Sequence, residues 1–351
     1  MGRTTKYNNI TTPELLAQVN PQNMQLKNDF LAYLRSLQRA EGTLVGYSND
    51  LDIFFVWVMQ NCNNKDFIKL KKRELVNFQG WLLNNNENSA ARVRRIKSAI
   101  SSLSNYVYNV LAEDEPEEFG DFKPMIRSIE SPVNEPVREK LILEDKQCQA
   151  MLDKLVEMKK YEQACYLALA FYSGRRKSEL LRFKVEHFND DHLICGGALY
   201  STIEKIRSKG RGKQGKQIPF YILPLAKKYV DLWLAERQEL GIESIWMFPD
   251  RKNPDETRGV GSADNWTILY SKVLSEITGE ETDFYMHCTR HWLTTYFSKL
   301  GLPQKVIQAY FNWSSADMIN IYDDSDAVDS FGDFFTVDGV KGTENKGLSD
   351  L

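Results

Sequence analysis

The sequence predicts a mainly α-helical protein with a small antiparallel β-sheet, split between a helical N-terminal domain and a larger C-terminal domain. Three observations predict it. Apolar residues recur at helical spacing from Asn23 to about Val110; the stretch from Ala112 to Pro136 is dense in Pro and acid without an apolar period; and between His192 and Leu223 short strand-like runs flank a Gly-rich basic turn. With 351 residues, 42% of them hydrophobic, and only 20 Gly and 11 Pro, the chain has enough apolar mass for two cores and is neither disordered nor collagen-like. Its 5 Cys stand at long spacings with no CxxC pair, so neither a disulfide framework nor structural zinc is signalled. The start MGRTTKYNNI lacks a signal-peptide core, and the longest apolar runs, such as Ile53 to Met59, fall far short of the ~18 residues a membrane span needs. A reducing cytoplasm, with no membrane partner, is therefore expected.

Residues 1–22 lack a period and read as a tail. The first domain, 23–111, opens with a helix carrying Leu26, Phe30, Leu34 and Leu37, and Gly42 and Thr43 are expected to stop it and cap the next. The second helix carries Leu44, Tyr47, Leu51, Phe54, Phe55 and Val58. A third is expected from Lys72 to Leu83, and a fourth from Ser89 to Val110 with Val93, Ile96, Ile100, Leu103 and Val107 inward. Residues 112–138 read as an interdomain linker. The second domain, 139–335, should hold helices over Leu141–Leu155 and Glu162–Tyr172, a Gly174 turn into Ser178–Phe183, the strands, and helices over Leu225–Leu240 and Asp283–Leu300. Residues 336–351 read as a flexible tail.

The net charge of −3 taken alone argues against a nucleic-acid partner, but positive charge is clustered. Lys69, Lys71, Lys72 and Arg73 form one group, Arg92, Arg94, Arg95 and Lys97 a second, and Lys205, Arg207, Lys209, Arg211, Lys213 and Lys216 a third, opposed only by Glu204. Any one of these suits a solvated face; three in one chain favour a polyanion, with Lys71, Lys72, Arg92, Arg94, Arg95, Lys97, Arg207, Arg211 and Lys213 as candidate contacts.

Two motifs mislead if read literally. The turn Lys209 to Lys216, KGRGKQGK, satisfies glycine-rich nucleotide-loop patterns, yet Gln217 stands where magnesium binding needs Ser or Thr, and a strand with Pro219 follows instead of a helix. His287 and His291 are spaced like a zinc pair, but Cys288 takes the place of the general-base Glu and Arg290 lies between them. No metal and no cofactor are expected.

What outweighs a core-histidine or surface-charge reading is the ordered combination. Gly174-Arg175-Arg176-Lys177-Ser178-Glu179 precedes a helix; a basic hairpin with Lys209 follows; then come His287-Cys288-Thr289-Arg290-His291, Asn312-Trp313-Ser314-Ser315, and Tyr322 nine residues beyond Trp313. This set resembles the tyrosine recombinase (phage integrase) family, whose catalytic domain carries an arginine in G-x-R-x-x-E, a hairpin lysine, H-x-x-R-H, a His or Trp, and a tyrosine nucleophile, in that order. The resemblance spans roughly Asn23 to Phe335, because Thr43-Leu44-x-x-Tyr47-x-x-x-Leu51 and the Ser89 to Tyr106 helix resemble that family's core-binding (SAM-like) domain, which adds Thr43 to the candidate DNA contacts.

The chemistry fits those residue types. Breaking a phosphodiester without a metal requires neutralising charge on two phosphoryl oxygens, which two Arg forks do in a way two Lys do not. Arg176, selected over Arg175 by its spacing to Glu179, and Arg290 are the expected clamp. His287 is expected to donate to the phosphate or handle a proton, and Glu179 and His291 to orient their neighbours. A tyrosine hydroxyl with pKa near ~10 needs such a cationic pocket to act as nucleophile at neutral pH. Tyr322 is the expected nucleophile, Trp313 stands for the commoner His, and the resemblance implies that a hairpin lysine, Lys209 ahead of Lys213 or Lys216, protonates the leaving 5′ oxygen. It further implies a homotetramer on double-stranded DNA, exchange through a Holliday junction, and docking of the segment with Phe331, Phe334 and Phe335 on a neighbouring subunit. A type IB topoisomerase-like relaxase and a non-catalytic DNA-binding regulator are the alternatives.

Overall fold

In the computed structural model, residues 10–84, 88–133, 140–208 and 215–323 are described, together with the backbone of two short later strands. The main division into two compact units falls between Glu139 and Lys140.

The first unit begins earlier than the period in its sequence. A turn of helix, α1 (Pro13–Leu16), is capped by Thr12, whose Oγ1 accepts from the Leu15 amide at 3.3 Å, and Val19 behind it is buried. Pro21, at the first helical position, opens α2 (Pro21–Ser36), and α3 (Glu41–Asn61) follows. Gly42 and Thr43 lie inside the first turn of α3 instead of bounding it: the chain reverses at Gln38, which takes a left-handed φ of 52°, and α3 starts from Ala40. After α4 (Lys72–Asn84), α5 (Ala90–Tyr106) is capped by the Ser89 hydroxyl. Phe30, Leu51, Phe54, Phe55, Phe78, Leu82, Val93, Ile96 and Leu103 fill the core between these helices.

The stretch read as a linker from residue 112 is folded for most of its length. The α5 backbone runs on through a wider turn over Val107–Leu111 into α6 (Ala112–Asp114), and α7 (Pro116–Phe119) follows. Ile126 and Ile129 then drop into the first unit's core at 3% and 9% exposure. With Phe119, Phe122 and Met125 packed beside them, these side chains anchor a segment that its Pro and acid content marks as a connector, each fully buried one contributing about 1.5–3 kcal/mol.

In the second unit, α8 (Asp145–Glu157) packs against α9 (Tyr161–Ser173), which is apolar around its circumference from Ala164 to Phe171 and buried accordingly. A short α10 (Lys177–Leu180) leads to an antiparallel sheet ordered β1 (Leu193–Ile194), β2 (Leu199–Ser201), β5 (Tyr221–Ile222). A separate hairpin pairs β3 (Ile206–Ser208) with β4 (Lys216–Ile218), Ser208 facing Lys216. Helices α11 (Lys227–Glu239) and α12 (Val260–Thr278) complete the main core. The sequence reading missed α12, although Ala263, Trp266, Tyr270, Val273 and Leu274 give it a buried stripe between Gly259 and Gly279. The last helices, α13 (Cys288–Lys299), α14 (Gln304–Phe311) and α15 (Asp317–Tyr322), enclose a second small core of Leu293, Phe297, Ile307, Tyr310, Phe311, Trp313, Ile319 and Tyr322. Strands β6 (Phe335–Thr336) and β7 (Gly339–Val340) pair beyond it. The molecule is thus mainly helical with small antiparallel sheets.

Candidate active site

The site is assembled where α9 ends. Gly174 terminates that helix with φ of 59°, and a Cβ there would lie 2.4 Å from Phe311 Cε1 and 3.2 Å from Leu293 Cδ2, so only glycine lets α14 approach. The Gly174 carbonyl accepts from Arg290 Nη1 at 2.9 Å.

Two residues on, Arg176 precedes α10, and Glu179 secures it twice: the Arg176 amide donates to Oε2 at 3.0 Å and Nη1 donates to Oε1 at 3.2 Å. The Ser208 hydroxyl donates to the same Oε1 at 2.5 Å, so one buried carboxylate ties the arginine to the end of β3. Burial alone would raise the Glu179 pKa; the Ser208 hydroxyl, the Arg176 amide and the guanidiniums of Arg176 and Arg175 outweigh it and hold the carboxyl below its ordinary value.

His287 lies just outside α13, at its N-cap position, because the helix begins at Cys288 and not at Asp283. Arg290 sits in the first turn, 2% exposed, its guanidinium carbon 4.9 Å from the Phe311 ring centre, 5.1 Å from that of Trp313 and 5.2 Å from that of Tyr322. Asn312 closes α14 in the left-handed region at φ 55°, which turns Trp313 back under the helix. There its indole stacks between Phe311, at 4.5 Å and 20°, and Tyr322, at 5.2 Å and 13°. Tyr322 ends α15 at 5% exposure, with its hydroxyl 2.9 Å from His287 Nε2 and its ring 4.9 Å from that of His291.

Arg176, Glu179, His287, Arg290, His291, Trp313 and Tyr322 therefore lie in one neighbourhood, and a cavity of about 540 Å³ opens beside Arg176 and His287, walled among others by Ser178, Tyr285, Met286 and Lys177, whose ammonium is paired with the Asp264 carboxylate in the same wall. The environment is cationic. Desolvation, then Arg290, His291 and Arg176, push the His287 pKa down to about 4, so its imidazole is neutral at pH 7 although its outer edge is exposed. Burial, Arg176 and Arg175 likewise press on Arg290. Within the described residues, Arg290 Nε and Trp313 Nε1 are buried donors without an acceptor. Such an arrangement, rich in donors and poor in acceptors, suits an oxyanion.

Lys209, Arg211 and Lys213 lie outside the described residues. Lys216 is described, and its ammonium donates to the Asn312 carbonyl at 3.1 Å. Arg207 is exposed on β3. In the first unit Thr43, Lys71 and Lys72 are exposed. Arg92 Nη1 lies 2.6 Å, and Arg95 Nε 3.4 Å, from the carboxylate of the buried Asp50. Arg94 donates twice to the Pro132 carbonyl. Lys97 departs from its expected role: 6% exposed, it spends its ammonium on the Ile129 carbonyl at 2.9 Å, the Glu130 carbonyl at 3.0 Å and the Ser131 hydroxyl at 3.1 Å. An ammonium has three protons, and all three have acceptors here, so it has none to offer DNA. Sequence reasoning also overlooked Ser208, for which the charge pattern carries no signal.

Comparison with known proteins identifies the family and the fold. The model of the phage integrase family matches residues 142–328. The chain is similar to the SPbeta prophage-derived recombinase-like protein YomM of Bacillus subtilis, 27% identical over 300 residues, covering 84% of this chain and 86% of that one. It is similar to a tyrosine recombinase of Thermosipho africanus at 22% identity over 304 residues, covering 85% and 93% of the two. Among solved structures, the Tn1549 transposon integrase in complex with a circular intermediate DNA shares the fold with a TM-score of 0.61 and 14% identity, covering 89% of this chain and 97% of that one.

Proposed function

Since the chain belongs to the phage integrase family, we propose that it is a site-specific DNA recombinase that cuts and rejoins duplex DNA through a covalent 3′-phosphotyrosine. The observation that carries the reading is the Tyr322 hydroxyl, 2.9 Å from a neutral His287 and stacked on Trp313 beneath the Arg290 guanidinium. In this reading Arg176 and Arg290 grip the two non-bridging oxygens of the scissile phosphate. Their forks, with the indole N–H of Trp313, are worth most where charge grows in the transition state.

The Tyr322 oxygen attacks phosphorus, its proton passes to His287 Nε2, and the bond to the 5′ oxygen breaks as Lys209 gives that oxygen a proton. The ester energy is retained in the phosphotyrosine, so a 5′ hydroxyl from the same or another strand reverses the step. Two such exchanges through a Holliday junction, on a homotetramer, complete recombination. Glu179 fixes Arg176, and through Ser208 it also fixes the strand that ends beside Lys209.

The test presents the protein with duplexes taken from the DNA flanking its coding sequence and seeks a protein–DNA adduct that survives denaturation. Wild type is expected to form it, and Tyr322→Phe to form none while binding DNA within about twofold of wild type, since only the nucleophilic oxygen is lost. An adduct in Tyr322→Phe overturns the assignment. Relaxation of supercoiled DNA without joining of two sites favours a topoisomerase-like relaxase instead.

A further inference from the structure

We infer that Arg175, the neighbour of the clamp arginine, is a positioning residue that sets the depth of Trp313 beneath Tyr322. This rests on the reading of the site just given. Arg175 is 2% exposed, and its side chain turns away from the cavity toward the end of α14. A helix leaves its last four carbonyls without intrahelical partners. In α14 the Gln308 and Ala309 carbonyls are taken by the backbone amides of Trp313 and Asn312, at 3.0 and 3.1 Å. The next ones are taken by cations from other elements: Arg175 Nη2 donates to the Tyr310 carbonyl at 2.6 Å, Nη1 reaches the Phe311 carbonyl at 3.5 Å, and Lys216 holds that of Asn312. The guanidinium also lies 4.4 Å over the Phe220 ring, which fixes its plane.

Stability alone does not explain this choice. No carboxylate bonds directly to Arg175 among the described residues, Glu179 attracting it only at longer range; its Nε has no acceptor, and the guanidiniums of Arg176 and Arg290 lie close by. Burying a cation costs desolvation, which offsets part of what the fork gains by satisfying the Tyr310 and Phe311 carbonyls. What the fork supplies is register. The carbonyls it holds are those of Tyr310 and Phe311, and Phe311 is the ring on which Trp313 stacks. The tripeptide 174–176 thus touches each part of the site: the Gly174 carbonyl holds Arg290, Arg175 holds the end of α14, and Arg176 faces the cavity.

The experiment compares wild type, Arg175→Met and Arg175→Lys on the duplex that yields the adduct. Single-turnover adduct formation is expected to fall at least tenfold in Arg175→Met with DNA affinity within about twofold. Arg175→Lys, which keeps one donor for the Tyr310 carbonyl but loses the reach to that of Phe311, should fall between the two, several-fold below wild type. A rate in Arg175→Met equal to wild type overturns the inference, and so does a loss shared equally between rate and affinity. If Arg175→Met fails to fold, Arg175→Lys is decisive: a several-fold loss of rate with affinity kept supports the role, and wild-type cleavage overturns it. A second arm needs no cleavage. With 5-fluorotryptophan incorporated, the Trp313 resonance, identified by its loss in Trp313→Phe, should shift in Arg175→Met, or in Arg175→Lys if only that variant folds. If wild type forms no adduct on any duplex, the reading of the site fails while the fluorine arm still decides the positional claim, an unmoved Trp313 resonance overturning it.

Discussion

Tyr322 and His287 share a hydrogen bond in a pocket that disfavours any additional positive charge, and this sets the acid limit of the proposed chemistry. With its pKa at about 4, His287 is unprotonated across the neutral range and free to receive the phenolic proton. A base fails as pH falls through its pKa. The second-order rate of adduct formation, which reports the free protein, should therefore stay level from pH 7 to about 5 and decline only toward 4. Substituting His287 by Ala should lower that rate by about 10² to 10⁴. A limb centred at or above the ordinary histidine value, near 6.5, contradicts a neutral, desolvated base. The residues brought together here were legible in the sequence because the proposed phosphoryl transfer admits few residue types. The role of Arg175 was not legible. Two adjacent arginines look alike in a string of letters, and only the turn at Gly174 sends one to the cavity and the other to the end of α14.

At the level of elements, the single helical turn over Val185–Phe188 carries a histidine of different character. His187 is 1% exposed, and its Nδ1 accepts from the Lys184 amide at 3.0 Å. Burial, followed by His192 and Lys184, pushes its pKa down to about 4. The unfolded chain takes up this proton near the ordinary 6.5 and the folded protein only near 4, so the stabilisation is complete above 6.5 and is lost as pH falls between these values. Its size is about 3 kcal/mol. Denaturant melts of wild type across this window should show the loss, and His187→Asn, which keeps an acceptor but cannot titrate, should flatten much of it; parallel slopes in the two proteins would assign the effect elsewhere. Elements also mark where sequence reasoning stopped. The helices of the first unit follow from their apolar spacing, whereas residues 112–133 are held by scattered apolar contacts, Phe122 and the two isoleucines among them, and by Lys97, whose acceptors lie 32 to 34 residues away in the chain. No local pattern announces a contact of that range.

At the scale of the whole molecule, the composition pointed away from nucleic acid while the arrangement of charge pointed toward it. Part of that clustered charge proves internal: Lys97 and Arg94 bind the chain's own carbonyls, and Arg92 and Arg95 face Asp50. Lys71, Lys72 and Arg207 remain exposed, and apart from the clusters Arg176 and Arg290 converge with a tyrosine from the same polypeptide. That shared origin has a genetic consequence. A catalytic set contributed by one chain cannot be rebuilt by pairing two damaged chains, so a mixture of Tyr322→Phe and Arg290→Gln proteins should form no adduct above the background of either alone. If the mixture instead regains activity, one subunit lends its tyrosine to another. Without such lending, and if the protein works as the proposed homotetramer, a defective copy does not merely dilute its neighbours: it holds a place in each assembly it joins, and a cell carrying both alleles would lose the proposed recombination out of proportion to the share of mutant protein.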